Sequence, residues 1–441
     1  MRSSGFFTDL IATLFERTSW LEAPASERPL RDMCNELLAG NGEVTGMRIA
    51  RTILSRYRSM SEPDKIAFFE FLTEELDVDA GEVEAAASRY AAAPDAEGLA
   101  RLTEAAEPAR QELLRRLNRV PGATGELVRM RLDLLRLAPR HPQFDRADID
   151  FVHLFKSWFN RGFLVLRHID WRTPANILEK IIQYEAVHAI NSWEELRRRL
   201  LPVDRRCFAF FHPSMPDEPL IFVEVALVNG IPGSVQQLLA EAREPVAPAK
   251  ADTAVFYSIS NCQDGLRGIS FGNSLIKQVV EELSQEFPHL RNYVTLSPIP
   301  GFSRWLKSRV GDDSRAAAIL EAADAGAEAL QPLNETVREL AAHYLVNEKR
   351  ADGLPVDPVA RFHLGNGALV HEVHAGADLS GKGLRQSCGA MVNYLYDLRT
   401  VEQNHEDFVG SQSVTSSRSI KSLVKAASAN PGKVPHAQRA S

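Results

Sequence analysis

The chemistry this chain can do is concentrated in a glycine loop, one serine ahead of a proline turn, and a few histidines and cysteines. The loop NCQDGLRGISFGNS carries Gly265, Gly268 and Gly272 and lies between TAVFYSIS and LIKQVVEELSQEF. TAVFYSIS alternates apolar and polar positions and holds β-branched and aromatic residues, which predicts a strand. The following segment places Leu275, Ile276, Val279, Val280, Leu283 and Phe287 at the i, i+3, i+4 spacing of one helix face. NYVTL then predicts a second strand. Strand, glycine loop, helix, strand is the local architecture of a phosphate cradle. Free backbone N–H groups and the helix dipole both favour an anion at the helix N-terminus. The same glycines also serve ordinary tight turns, so the loop by itself leaves both readings open.

Ser297 stands between NYVTL and a turn whose backbone Pro298 and Pro300 restrict, so its hydroxyl is held in a set position. A serine before proline is equally an ordinary turn former. Histidine is the natural group for proton delivery near neutral pH, although a histidine taken alone is more often packed or solvated. His371 and His374 resemble a metal pair, but on a strand an offset of three points them to opposite faces. Cys34, Cys207, Cys262 and Cys388 lie far apart without a CxxC, which signals neither a zinc site nor a disulfide framework. Cys388 reads as a buried small hydrophobe rather than an acyl-accepting nucleophile.

These residues need elements to hold them. At 441 residues the chain exceeds one ordinary core and predicts two domains. Residues 1–150 read as all-helical: FFTDLIATLFER, LRDMCNELLAG, DKIAFFEFLTEEL, PARQELLRRLNRV and GELVRMRLDLLRL each have helical apolar spacing. Breaks fall at Pro24, Gly40 to Gly42, Pro63, Pro94, Pro121 and Pro139 to Pro142, so the helices are short and build a bundle. No cluster there asks for chemistry, and LLRRLNR reads as a solvated helix face. Packing and self-association are the expected tasks of this domain.

APRHPQFDRAD (138–148) reads as a connector, and FLVLRHI (163–169) as a strand. TPANILEKIIQYEAVHAI predicts a helix with Thr173 as N-cap and Pro174 at its first position. WEELRRRLL is a further helix, CFAFFHP and PLIFVEVAL are strands joined by a Pro-rich turn, and GFSRWLKSR and 331–347 are helical. NGALVHEVHA and AMVNYLYDL complete the strands. Strands interspersed with helices from 163 to 397 predict an α/β sheet domain, bounded at 151–428, and the polar, Pro- and Gly-punctuated tail 429–441 predicts disorder.

Composition excludes several classes. Hydrophobic residues at 44% with 25% charged are those of a soluble globular protein, and the net charge of −7 offers no basic surface for nucleic acid. No apolar run approaches the ~20 residues of a membrane span. Asp9 and Glu16 argue against a transit peptide in the faintly amphipathic start, and Arg-Ala-Ser at the C-terminus is not the peroxisomal Ser-Lys-Leu address. A reduced, cytoplasmic protein is the expectation.

FFHPSMPDEPLIFVEVAL (210–227), AVFYSISNCQDGLRGISFGNSLIK (254–277), EFPHLRNYVTLSPIPGF (286–302), RFHLGNGA (361–368) and SCGAMVNYLY (387–396) together resemble the malonyl-CoA decarboxylase family. The resemblance covers the C-terminal two-thirds, in the family's order. It implies a helical N-terminal domain followed by a catalytic domain with the mixed sheet of the GNAT acetyltransferases. It also implies that Arg267, Gly268, Ile269, Ser270, Phe271, Gly272 and Asn273 hold the CoA pyrophosphate. Ser270 stands where acetyltransferases prefer glycine, which departs from the generic R/Q-x-x-G-x-G/A loop. Ser297 and His363 match the family's catalytic serine and histidine. His212, Asn393 and Tyr394 fall in family-like blocks and are candidates to line the acyl pocket.

The implied reaction is loss of CO2 from malonyl-CoA to give acetyl-CoA, in a homo-oligomer that is commonly a tetramer. The thioester is itself the electron sink, so no metal or organic cofactor is expected; CoA is part of the substrate. Such an enzyme must hold the carboxylate, stabilise the enolate oxygen and deliver a proton to carbon. His363 is assigned to proton donation and polarisation of the thioester, Ser297 to hydrogen bonding at the carboxylate or enolate. A histidine giving up its proton should lose competence as pH rises through its own pKa. Two other readings use the same sequence: a CoA-dependent acyltransferase, which needs an acceptor site, and a non-catalytic CoA-binding scaffold.

Overall fold

Helices with one apolar stripe must bury it, and the N-terminal part of the chain does so by packing helix on helix. The computed structural model describes residues 28–40, 42–269 and 275–429. FFTDLIATLFER, the loop residues Ser270, Phe271, Gly272 and Asn273, and the tail from residue 430 lie outside the described residues. The chain divides into two compact units: residues up to Phe159 together with Asp264–Ile269, and Asn160–Gln263 together with the remainder.

The first unit is helical. Its described helices are α1 (Leu30–Leu38), α2 (Glu43–Arg58), α3 (Glu62–Glu74), α4 (Ala80–Ala92), α5 (Ala96–Ala105), α6 (Ala109–Leu117), α7 (Ala123–Leu137) and α8 (Asp145–Trp158). Acceptor side chains start three of them: Ser61 caps Asp64 N of α3, Asp79 caps Gly81 N and Glu82 N of α4, and Asp95 caps Gly98 N of α5. Pro63 therefore opens a helix at its first turn instead of interrupting one. The expected connector 138–148 is two short 3-10 turns running into α8. Asp145 and Asp148 favour that helix start, and Ala147, Phe151, Leu154 and Phe155 give α8 a buried stripe. Phe69, Phe144, Phe151, Phe155 and Phe159 are fully buried, with Phe69 and Phe144 rings 5.6 Å apart. Arg110 is also buried, and Asp77 (2.8 Å) and Asp150 supply the paired charges such a site demands.

The second unit is a mixed sheet between helices, the fold class expected from the sequence. Its strands are β1 (Val165–His168), β2 (Arg205–His212), β3 (Met215–Val228), β4 (Thr253–Asn261), β5 (Asn292–Thr295), β6 (Ser297–Pro298), β7 (Leu369–His374) and β8 (Met391–Leu395). Their order is β1-β2-β3-β4-β5-β8-β6, with β7 paired to β8. All pairs are antiparallel except β4 and β5, where Thr253–Phe256 runs alongside Asn292–Thr295. A parallel pair needs a crossover, and α12 (Leu275–Glu286), the amphipathic segment after the glycine loop, supplies it. Beyond Phe256 the ladder continues only through Leu296 N to Phe256 O, 3.0 Å, and β6 turns to pair with β8. Opposite Glu224 and Val225 the register slips by one at Tyr257, a bulge that bends β4 just where β5 leaves it.

The helices of this unit are α9 (Ala175–Tyr184), α10 (Trp193–Leu200), α11 (Val235–Leu239), α12, α13 (Phe302–Arg309), α14 (Ser314–Ala325), α15 (Ala327–Leu330), α16 (Asn334–Asn347), α17 (Pro358–Gly365), α18 (Gly381–Ser387), α19 (Val401–Ser411) and α20 (Arg418–Ala429). α9 starts one residue later than expected, with Pro174 as its N-cap, because Thr173 is spent on Asp170 N at 3.0 Å. The Pro-rich turn is also displaced: β2 and β3 are two residues apart, and Pro216 and Pro219 lie in β3 beside the irregular pairing at Phe210 and Phe211. One large core covers the face of the sheet bearing Phe208, Phe210, Val223, Val225 and Phe256, packed by α12, α13, α16 and α17.

Candidate active site

Ser297 opens β6, its main chain paired with Val392 of β8. Strand alternation puts Thr295 and Ser297 on one face, and Ser297 Oγ donates to Thr295 Oγ1 at 2.9 Å. The turn that follows is tied down as its prolines suggest: Ile299 N donates to Ser387 Oγ at 3.2 Å. Gly301 is required by close approach, since a Cβ there would lie 2.1 Å from the hydroxyl oxygen of Tyr344.

His363 arrives from α17. Asp357 caps that helix, accepting from Val359 N and Ala360 N at 2.9 Å each, and Pro358 occupies the first turn. The same carboxylate accepts from Gly301 N at 3.5 Å, so one buried residue ties the serine's turn to the histidine's helix. His363 Nε2 lies 3.2 Å from Ser297 Oγ, and Nδ1 lies 2.8 Å from the Tyr396 hydroxyl. The imidazole stacks on Tyr394, centroids 4.6 Å apart and planes 24° from parallel. Ser297 and His363 are both buried.

The protons in this network can be placed. Thr295 Oγ1 accepts from Tyr394 N at 3.1 Å and from Ser297 Oγ. With its own proton so used, Ser297 Oγ accepts from His363, which puts hydrogen on Nε2 and leaves Nδ1 to accept from the Tyr396 O–H. Burial pushes the His363 pKa down to about 3 and pushes that of Tyr396 well up, so the imidazole is neutral and the phenol protonated. The expected loss of competence as pH rises through the histidine's pKa is therefore corrected. At neutral pH the group is already the neutral Nε2–H form. Nor is the arrangement that of a serine nucleophile, in which Nε2 must accept the hydroxyl proton and a carboxylate must hold Nδ1–H. Among the described residues no carboxylate bonds this ring.

Of the other residues singled out from sequence, Tyr394 is brought to His363. Asn393 is its neighbour on β8 and points to the opposite face, where its amide donates to Thr295 O at 2.8 Å and Pro232 O at 3.2 Å. His212 ends β2, with Nδ1 accepting from Ser214 N at 3.1 Å and its ring edge-on to Phe163. Arg267 and Gly268 are exposed, Gly268 in the left-handed region at φ +81, and Ile269 is buried; the remainder of the loop lies outside the described residues. Cys388 is buried, with its thiol pKa raised by burial and its Sγ 3.3 Å from Ser303 Oγ, as fits a packed residue. His374 Nε2 bonds Asn393 Oδ1, and among the described residues no three metal-ligating side chains converge. Sequence reading missed Thr295 and Tyr396. Period-two spacing was the available signal: Thr295 shares a face with Ser297, and Tyr396 with Tyr394.

Two domain models of one family match the chain in succession: the malonyl-CoA decarboxylase N-terminal domain over residues 76–159 and the malonyl-CoA decarboxylase C-terminal domain over residues 162–434. The mitochondrial malonyl-CoA decarboxylase of Rattus norvegicus is 36% identical over 359 residues, 74% of this chain and 73% of the rat protein. The crystal structure of malonyl-CoA decarboxylase from Rhodopseudomonas palustris superposes with a TM-score of 0.84 at 49% identity, covering 89% of this chain and 98% of that one. That from Agrobacterium vitis gives 0.83 at 47% identity, covering 89% and 99%. With both halves matched in order, and the likeness extending through sequence and backbone alike, the chain belongs to the malonyl-CoA decarboxylase family of carboxy-lyases.

Proposed function

We propose that this protein decarboxylates malonyl-CoA to acetyl-CoA and CO2, with His363 and Ser297 stabilising and protonating the enolate. The observation that carries this is the buried contact of 3.2 Å between Ser297 Oγ and His363 Nε2, backed by Tyr396 at Nδ1. Heterolysis of the bond between the carboxylate carbon and the α-carbon releases CO2. The electron pair is left shared between the α-carbon and the thioester oxygen. One proton, ultimately from solvent, then closes the reaction at carbon. The Nε2–H donor and the serine hydroxyl are the groups that meet this charge, turning to it from their resting acceptors Ser297 Oγ and Thr295 Oγ1. Preorganised donors in a buried site need little reorganisation and gain strength from the low dielectric. Tyr396 can follow the proton at Nε2 by shifting its own toward Nδ1.

In this reading Arg267, Gly268 and the loop to Asn273 take the CoA pyrophosphate, Tyr394 walls the acyl group with His212 as a further candidate lining residue, and Asn393, on the opposite face of β8, steadies the strand instead. The helical domain, residues 1–150 in the sequence-based division, supports self-association, with a cytoplasmic homotetramer as the working form. The thioester supplies the electron sink, which is why neither metal nor organic cofactor enters the scheme. Incubating the purified protein with malonyl-CoA and following acetyl-CoA by mass spectrometry tests the proposal. Stoichiometric acetyl-CoA is expected, and intact malonyl-CoA after prolonged incubation with folded protein would overturn it.

A further inference from the structure

The lead-in to the glycine loop belongs to the helical unit: Asp264–Ile269 is grouped with residues up to Phe159. Gly265 lies directly against α7, where a Cβ would come 2.1 Å from Val128 O and 2.9 Å from Val128 Cγ1. Only glycine allows that approach. Three residues along α7 from Val128, the buried Arg131 reaches the same segment. Its Nη1 donates to Gly265 O at 2.8 Å and to Arg267 O at 2.9 Å. Asp148 of α8 holds the other side of the guanidinium, at 2.7 Å to Nε and 3.3 Å to Nη2. Local bonds complete the fixation, with Arg267 N donating to Asp264 O at 3.1 Å and Ile269 N to Leu266 O at 2.9 Å. The backbone of Arg267 is thus held at both its N–H and its C=O. Its guanidinium is exposed and has no hydrogen-bond or ion-pair partner among the described residues.

We propose that Arg131 is a positioning residue for the CoA thioester: it fixes the main chain of Arg267 so that this side chain is presented to the pyrophosphate. A planar fork with five donors suits this task, joining a carboxylate to two carbonyls in one rigid group. Arg131 lies in the helical part of the chain, so that part carries an element of ligand recognition besides any role in self-association. The inference rests on the reading that Arg267 contacts the pyrophosphate.

The test compares Arg131→Met with Arg267→Ala, using CoA in calorimetric titration and both malonyl-CoA and malonyl-pantetheine, which lacks the phosphates, in turnover. Arg131→Met is expected to weaken CoA binding about ten-fold or more, the scale of losing charge-assisted hydrogen bonds. KM for malonyl-CoA should rise in parallel while kcat moves far less, and turnover of malonyl-pantetheine should hold. Unchanged CoA affinity in Arg131→Met, with Arg267→Ala impaired, overturns the clamp and leaves the loop reading standing. Unchanged affinity in Arg267→Ala overturns the loop reading and this inference with it. An equal loss of kcat on both thioesters makes Arg131 merely structural and also overturns it. Should Arg131→Met fail to fold, Arg131→Lys and Asp148→Asn carry the same readouts, and wild-type CoA affinity in both is the contradicting result.

Discussion

The Tyr396 phenol donates a hydrogen bond to His363 Nδ1 across 2.8 Å, which matches the imidazole tautomer that Ser297, itself donating to Thr295, requires. Because Nδ1 is occupied as an acceptor, Nε2–H faces Ser297. A neutral imidazole in that tautomer donates to a developing oxyanion without first having to pick up a proton, which burial would resist.

Replacing Tyr396 by Phe should therefore cost turnover without costing affinity. The ring volume stays, the packing of the core is kept, and only the donor to Nδ1 is lost. We expect kcat to fall about ten- to hundred-fold, less than on loss of the imidazole itself, with KM little changed. Nitrogen-15 NMR of His363 should show the Nε2–H tautomer in the wild type and a mixture in the variant. A wild-type kcat in Tyr396→Phe would remove the tyrosine from the mechanism.

The depressed pKa of His363 carries a stability consequence whose sign is fixed. The folded-state value of about 3 lies below the ordinary 6.5, so between them the unfolded chain binds more protons. Stability from this group is fully present above about pH 6.5 and is lost as pH falls toward 3. His363→Asn, which cannot titrate, should show a shallower decline of urea-unfolding free energy from pH 7 to pH 4. Identical slopes in the two proteins would mean that the imidazole is not held neutral by burial.

Asp357 should matter to both halves of the pair. Asp357→Ala removes the cap of α17 and strands the backbone N–H of Gly301, costing roughly 2–4 kcal/mol. Thermal unfolding should move down accordingly, and kcat should fall more than CoA affinity, because the serine turn and the histidine helix lose their common tie. An unaltered melting temperature would show the cap to be dispensable.

Much of this arrangement was legible in the chain. The β-branched and aromatic residues of TAVFYSIS located β4, which is buried on both faces, and the 3.6-residue spacing after the glycine loop located α12, which buries one regular face. Thr295 and Tyr396 were equally accessible through their period-two neighbours Ser297 and Tyr394, but threonine and tyrosine are also ordinary strand residues and gave no chemical signal of their own. The tautomer of His363 could not be read from sequence, since it depends on a phenol 33 residues away in the chain. Nor could the seat of Gly265 on α7, because the glycines of a loop look alike until the carbonyl of Val128 shows which one has no room. The first turn of α8, Asp145 to Asp148, was read as the end of a connector because prolines and charges dominate its approach, while its aromatic stripe begins only at Phe151.

The central claim is that Ser297 and His363 serve one chemical step, and the most direct measurement is single-turnover decarboxylation of malonyl-CoA by Ser297→Ala, His363→Asn and the double variant. Each single substitution should slow the step by about a hundred- to ten-thousand-fold with CoA affinity nearly intact. The double variant should be less impaired than the product of the singles, since both groups act on the same developing charge. If both folded single variants convert malonyl-CoA to acetyl-CoA at the wild-type rate, the pair is structural and the catalytic groups lie elsewhere.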